Sequence, residues 1–171
     1  MLFRNVSTKS KFNEMFKGKS YEQKLISKIS ESVFAGGDKP SDSSVTCDKE
    51  YKYPVYSNGQ GDLGLLCYSK TYQVAKSALT ISARGTIGFT CIRKPFFTPV
   101  VRLITLIPNE NINLMYMKYC IDTLDLSKNG SGAGQLTVPD FMKYSIMVPP
   151  IDLQNQFADF AQACDKLKFI E

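Results

Sequence analysis

Histidine is absent from all 171 residues of the chain. That absence excludes Ser-His-Asp and Cys-His catalysis, the H-E-x-x-H zinc site and phosphoryl transfer through histidine. Any chemistry would have to rest on carboxylates, lysine, tyrosine or cysteine. No complete G-x-x-x-x-G-K-[ST] phosphate loop occurs either. The five cysteines, Cys47, Cys67, Cys91, Cys120 and Cys164, are an odd number without a C-x-x-C pair, so reduced thiols are expected rather than a disulfide framework or a zinc site. No apolar run is long enough to cross a bilayer, and the first twenty residues lack the apolar core of a signal peptide. A cytoplasmic protein with no membrane partner and no cofactor is expected. Internal repeats and low-complexity tracts are absent.

What is present is a chain with 43% hydrophobic residues, enough for one domain with its own core. Its 21 basic residues exceed its 16 acidic ones, a net charge of +5 that favours an anionic partner. Phe12, Met15 and Phe16 share a helical face within residues 1–16, and Gly18 ends that pattern. Leu25, Ile29 and Val33 continue at helical spacing, although Ile29, Val33 and Phe34 suit a strand equally well. A polar loop follows from Gly36 to Tyr51. Strands are expected at Tyr53 to Tyr56, Leu63 to Tyr68, Leu79 to Ser82, Gly88 to Ile92 and Val100 to Ile107, the last central because it is almost continuously apolar. Leu114, Met117, Ile121 and Leu124 form one stripe of a helix from Asn113 to Leu124.

The segment from Asn129 to Phe160 is the densest in signals. Gly130, Gly132 and Gly134 allow positive φ and close backbone approach, with Ser131 and Gln135 offering hydrogen-bonding groups. Thr137 is placed to cap a short helix with Pro139 in its first turn, and Tyr144 to Val148 reads as a buried strand. Pro149-Pro150 then breaks both patterns. Beyond it, Leu153, Phe157, Phe160, Cys164 and Leu167 recur at alternating spacings of four and three, the seam of a helix pair whose partner within the chain could only be the N-terminal segment.

The expected fold is therefore α+β, strand-rich in the middle and helical at both ends. The glycines of 130–134 lack the strand, long helix and acidic ribose ligand of a dinucleotide fingerprint. The tetrapeptide Val148-Pro149-Pro150-Ile151 lacks the Asn or Asp and the aromatic residue of a catalytic Pro-Pro motif. Asp122 and Asp125 are neighbours at a helix end and read as solvated. Arg84, with Ser82 and Thr86 around a glycine turn, suits a phosphate or a guanine edge, and equally an arginine pinned to a carboxylate. Lys39, Lys49, Lys52, Lys70, Lys76, Arg93, Lys94 and Lys128 fall in loops or at strand ends, each by itself an ordinary solvated charge. Interleaved with Tyr51, Tyr53, Tyr56, Tyr68 and Tyr72, the set suits a nucleic-acid surface.

The order of several short motifs resembles the specificity subunit of type I restriction-modification systems. Those motifs are the opening Ser32 to Ser41, then Tyr53 to Gly59, Ile81 to Gly88 and Val101 to Pro108, and the closing Gly134 to Thr137 with Val148 to Phe157. The resemblance implies a target recognition domain over residues 19–149, the end of a helical spacer over 1–18 and the start of another over 150–171. It implies a non-catalytic role: binding double-stranded DNA at one half of a bipartite target, and positioning a methyltransferase subunit and a restriction subunit there. One recognition domain where the family's subunit usually carries two implies a half-subunit, a gene fragment or a fragment of a longer chain. Two copies paired through their spacer helices would imitate a full subunit and read a symmetric target.

On this reading Lys39, Ser41, Lys49, Lys70, Thr86, Lys94, Lys128 and Ser131 are candidate DNA contacts. Arg84 is the candidate for guanine, and Asn58, Gln60 and Gln135 for adenine. Leu153, Phe157, Phe160, Cys164 and Leu167 are the candidate partner-helix face. The competing expectations are an interaction adaptor from a split specificity gene without DNA binding, and an enzyme using carboxylates or cysteine, disfavoured by the missing histidine and cofactor motifs.

Overall fold

The computed structural model describes residues 7–127 and 134–167, the last two by backbone alone. The expectations at Lys128, Gly130, Ser131 and Gly132, and for the side chain of Leu167, lie outside the described residues.

The chain is α+β. Helix α1 (Thr8–Phe16) begins at Ser7, whose hydroxyl accepts from the Ser10 amide, and it buries Phe12 and Phe16 one turn apart. Strand β1 (Gln23–Leu25), the single-turn α2 (Ile26–Ile29) and β2 (Ser30–Ala35) follow, so Leu25, Ile29 and Val33 divide between strand and helix. The long polar loop contains only the two-residue β3 (Ser43–Ser44). Strands β4 (Tyr53–Tyr56), β5 (Leu65–Ser69), β6 (Ala78–Ile81), β7 (Thr90–Arg93), β8 (Thr98–Pro99) and β9 (Ile104–Pro108) make up the strand-rich middle.

Helix α3 (Leu114–Asp122) is capped by Asn113, whose side-chain oxygen accepts from the amides of Met115 and Tyr116. The one-turn α4 (Val138–Phe141) has the expected Thr137 cap, at 3.3 Å from the Asp140 amide. Strand β10 (Ser145–Met147) pairs with β1, and α5 (Ile151–Leu167) ends the described chain. Among the described residues no helix is long and apolar enough to cross a membrane.

Three layers result. The middle one is an antiparallel sheet in the order β2-β9-β6-β7. Alternation along its strands separates two faces. Leu79, Ile81, Ile104 and Leu106 join the helices in the main core, with Phe12, Phe16, Tyr116 and Phe157. Ala78, with Phe34 and Ile107, turns the other way onto Val74 and Phe97. The second sheet runs β3-β5-β4-β8, with β4 and β8 parallel.

Strand β9 is central, as its apolar run predicts, but it starts at Ile104 rather than Val100. Val101 and Arg102 have φ of 53° and 65°, a left-handed turn that cannot pair in a sheet. The end helices are not free connectors, since α1 and α5 supply Phe12, Phe16, Phe157 and Ala161 to the main core.

Candidate nucleic-acid interface

The β4–β5 hairpin tip, residues 57–64, is built on a tight backbone. Asp62 and Leu63 have φ of 46° and 53°, and Gly64 has φ of 80°. A side chain at Gly64 would bring Cβ to 2.5 Å from the Ser57 carbonyl oxygen, whose own amide donates to the Gly64 carbonyl at 2.8 Å. Arg93 holds this tip from inside. Its Nη2 donates to the Leu63 carbonyl at 2.6 Å, its Nε to Thr80 Oγ1 at 2.9 Å, and its guanidinium carbon lies 3.7 Å from the centre of the Tyr56 ring. Arg93 is only 5% exposed and forms no ion pair among the described residues. The sequence expectation of a solvated charge is therefore corrected. The ring face and two oxygens stand in for water around a cation whose burial lowers its pKa.

From the tip, Asn58 reaches two other loops. Its Oδ1 accepts from the Ala83 amide at 2.7 Å and its Nδ2 donates to the Val101 carbonyl at 2.8 Å, while the Gly59 amide donates to Ser82 Oγ at 3.1 Å. The turn of residues 82–89 is joined in the same way to the segment before α4. The Leu136 amide donates to the Ala83 carbonyl at 2.9 Å. Arg84 Nε and Nη2 both donate to Gln135 Oε1, at 3.0 and 2.7 Å. Four loops thus meet at one end of the molecule.

Arg84 pairs with an amide, a partner that sequence reasoning does not anticipate; its expected alternatives are a ligand and a carboxylate. With the Nε–Nη2 edge occupied, the guanidinium plane is fixed and the Nη1–Nη2 edge is left open, the arrangement needed for a two-point contact. Both ends of the Asn58 amide are spent inside the chain, so its observed work is to join loops. Gln60 and Thr86 are exposed on the same two turns.

Lys39, Ser41 and Lys49 are exposed on the long loop, and Lys94 is exposed after β7, with no ion pair for these lysines among the described residues. Lys70 differs. It sits at the open end of the hairpin, away from the tip, bonded to Glu50 at 2.6 Å and Asp42 at 3.0 Å and lying over the Tyr51 ring. These bonds, Glu50 first, raise its pKa. Its charge is balanced by two carboxylates, so it is not an unpaired surface cation.

Asp48 closes the same loop by accepting from the amides of Tyr51 and Glu50, both at 2.8 Å, and those bonds lower its pKa from the ordinary 3.8. Asp42, bonded first to the Tyr51 hydroxyl and then to Lys70, is lowered too. Groups with depressed pKa values contribute order above their unfolded pKa and lose it as pH falls through the folded one. The loop of residues 42–51 is therefore expected to keep its structure from neutral pH down to about pH 4 and to loosen below that. Amide chemical shifts of Glu50 and Tyr51 check this; a transition centred near pH 6 would contradict it.

On α5, Phe157 is fully buried among Phe12, Phe16, Tyr116 and Tyr119. Its expected place on a partner-facing seam is corrected: the seam closes within the chain, against α1 and α3. Leu153, Phe160 and Cys164 are half-buried. Leu153 and Phe160 line an open groove of about 420 Å³ with Lys11, Met15 and Lys19, the lysine Nζ of Lys11 lying 5.9 Å from the Phe160 ring centre.

Comparison with known proteins gives concordant matches. A family described as the type I restriction modification DNA specificity domain matches residues 19–171. Two Mycoplasma pneumoniae proteins named as type I specificity subunits are similar in sequence. One is 36% identical over 141 residues, covering 82% of this chain and 39% of that protein. The other is 38% identical over 133 residues, covering 78% and 40%. The chain thus spans about two fifths of the length of these relatives. In fold it is similar to the S subunit of a type I restriction-modification system from M. genitalium, with a TM-score of 0.76 and 14% identity over 96% of this chain and 48% of that one. It is also similar to the HsdS subunit from Thermoanaerobacter tengcongensis, with a TM-score of 0.68 and 18% identity over 94% and 42%.

Proposed function

The chain belongs to the type I restriction-modification DNA specificity family, and from that premise we propose that it is a non-catalytic DNA-reading domain working in the cytoplasm. It recognises one half of a bipartite duplex target and positions the methyltransferase and restriction subunits there. Residues 19–149 do the reading, while residues 1–18 are the end of one helical spacer and residues 150–171 the start of another. Family membership supplies the ligand class. The observation that carries the placement is the meeting of four loops around Asn58, with the guanidinium of Arg84 held flat by Gln135.

An arginine with a fixed plane and an open Nη1–Nη2 edge matches the O6 and N7 acceptors of guanine in the major groove. Gln135 keeps its amide nitrogen for a neighbouring acceptor, and Gln60 and Thr86 stand beside the pair on the joined turns. Lys39, Lys49 and Lys94, with Ser41, set the register on phosphates, as would Lys128 and Ser131. Lys70 does so only by exchanging its two carboxylates for a phosphate. On α5, Leu153, Phe160 and Cys164 form the face offered to a partner helix of the methyltransferase subunit or of a second copy.

Arg84→Ala is expected to lose about 1–3 kcal/mol of discrimination at one guanine position, with affinity for unrelated sequences little changed. Gln135→Leu should produce a weaker version of the same loss, because it frees the guanidinium without removing it. Sequencing the duplexes that the chain retains from a randomised pool reads both. Unchanged selectivity in the two variants would remove Arg84 from the reading surface. The adaptor alternative predicts no salt-sensitive binding to any duplex.

A further inference from the structure

The turn between β8 and β9 carries strain that its own residues do not require. Val101 and Arg102 both occupy the left-handed region, which disfavours side chains with a Cβ, and both are exposed. The surrounding backbone holds them there. The Val101 amide donates to the Gly37 carbonyl at 2.7 Å, the Arg102 amide to the Gly36 carbonyl at 3.0 Å, and the Leu103 amide to the Val100 carbonyl at 3.1 Å. Gly36 lies so close beneath that a Cβ there would be 2.5 Å from the Pro99 carbonyl carbon and oxygen. Buried Val100 and Leu103 anchor the two sides. Asn58 then ties the Val101 carbonyl to the Ala83 amide, next to Arg84.

Two arginines, Arg84 and Arg102, are thus presented from turns joined by one side chain. They differ in one respect. Arg84 is fixed in plane by Gln135, whereas the Arg102 side chain has no hydrogen bond or ion pair among the described residues. A guanidinium that must match two base acceptors needs a fixed plane. One that meets phosphate oxygens, which accept from many directions, needs only a fixed root.

Building on the DNA-reading function proposed above, we infer that Arg102 is a phosphate-anchoring residue, and that Asn58 is the positioning residue that sets its distance from the base-reading Arg84. Lys39, two residues beyond Gly37, starts the loop that leaves the same turn and extends the cationic edge.

Arg102→Gly separates this role from a structural one, because glycine tolerates the left-handed backbone while the charge is lost. Fluorescence anisotropy with the whole chain and a randomised duplex pool, over a series of salt concentrations, is the measurement. The melting temperature of Arg102→Gly should stay level or rise. Affinity for every duplex should fall roughly five- to tenfold at low salt, and the slope of log K against log salt should shrink by about 0.9, with the selected sequence unchanged. Arg102→Lys should recover the slope. Asn58→Ala should lower the slope and blur base selection together, which neither arginine variant does alone.

If the wild-type chain binds and selects duplexes while Arg102→Gly binds them with the same affinity and slope, the inference is overturned and the DNA-reading function stands. A changed selected sequence with an unchanged slope overturns it also, by making Arg102 a base reader. If the wild-type chain shows no salt-sensitive binding at all, both fall.

Discussion

Phe157→Ala is expected to lower the unfolding free energy by about 3–5 kcal/mol, the range for removing a buried aromatic side chain. Phe157 has no exposed surface and four aromatic neighbours. Its ring centre is 5.0 Å from that of Tyr119 and 5.3 Å from that of Phe12, both edge-to-face, with Phe16 at 5.9 Å and Tyr116 at 6.4 Å. The substitution removes burial and edge-to-face contacts together, and leaves a cavity where α1, α3 and α5 meet. Phe160→Ala, at a half-buried position on the groove, should cost much less. Urea unfolding followed by far-ultraviolet circular dichroism compares the two. Equal effects would mean that α5 is not part of the core. Phe157→Asp is accordingly expected to unfold the domain, so it cannot serve to release a partner. Variants at Leu153 and Phe160 are the ones suited to that purpose.

A second large effect is expected one helical turn earlier. Gln154 is completely buried and uses both ends of its amide: Oε1 accepts from the Asn113 amide at 2.9 Å, and Nε2 donates to the carbonyls of Pro149 and Asn111 at 2.9 and 3.3 Å. It ties the start of α5, the Pro149-Pro150 break and the cap of α3 into one unit. Gln154→Leu keeps the approximate volume and strands those three backbone groups. A loss of about 2–4 kcal/mol is expected, since an unsatisfied buried group costs more than a formed hydrogen bond contributes. The same unfolding measurement reads it, with hydrogen exchange at the Asn113 amide as the local probe. A change below about 0.5 kcal/mol, the level of an ordinary surface substitution, would contradict the assigned role. Gln154 and Phe157 touch a shared region, so the double variant should not be additive.

Much of this architecture was legible from residue order because its causes are local. The stripe of Leu114, Met117 and Ile121, the cap at Thr137 and the Pro149-Pro150 break each act within one or two turns of chain, and helices α3, α4 and α5 stand where they indicate, although α3 ends at Asp122 before the last predicted stripe residue, Leu124. The β-branched runs became β6, β7 and β9 for the same reason. The start of β9 was not legible, because the left-handed turn at Val101 and Arg102 is imposed by Gly36 and Gly37 from another part of the chain. Arg102 itself sits inside an apolar run that reads as strand, with no local sign of exposure.

By itself, then, the sequence determined the α+β class, the helical ends, the absence of histidine chemistry and, through the order of its motifs, the family resemblance. What each polar side chain faces was decided by tertiary structure. Asn58 is spent on groups 25 and 43 residues away, Arg84 is oriented by a glutamine 51 residues away, and Arg93 supports a turn 30 residues earlier. The seam on α5 was divided in the same way, with Phe157 drawn into the core by rings from α1 and α3 while Phe160 stayed at the groove. Periodicity and capping are short-range and leave a mark in residue order. A hydrogen bond or ring contact between distant segments exists only once folding has placed them together, and it is those contacts that decide which groups stay exposed and which become scaffold.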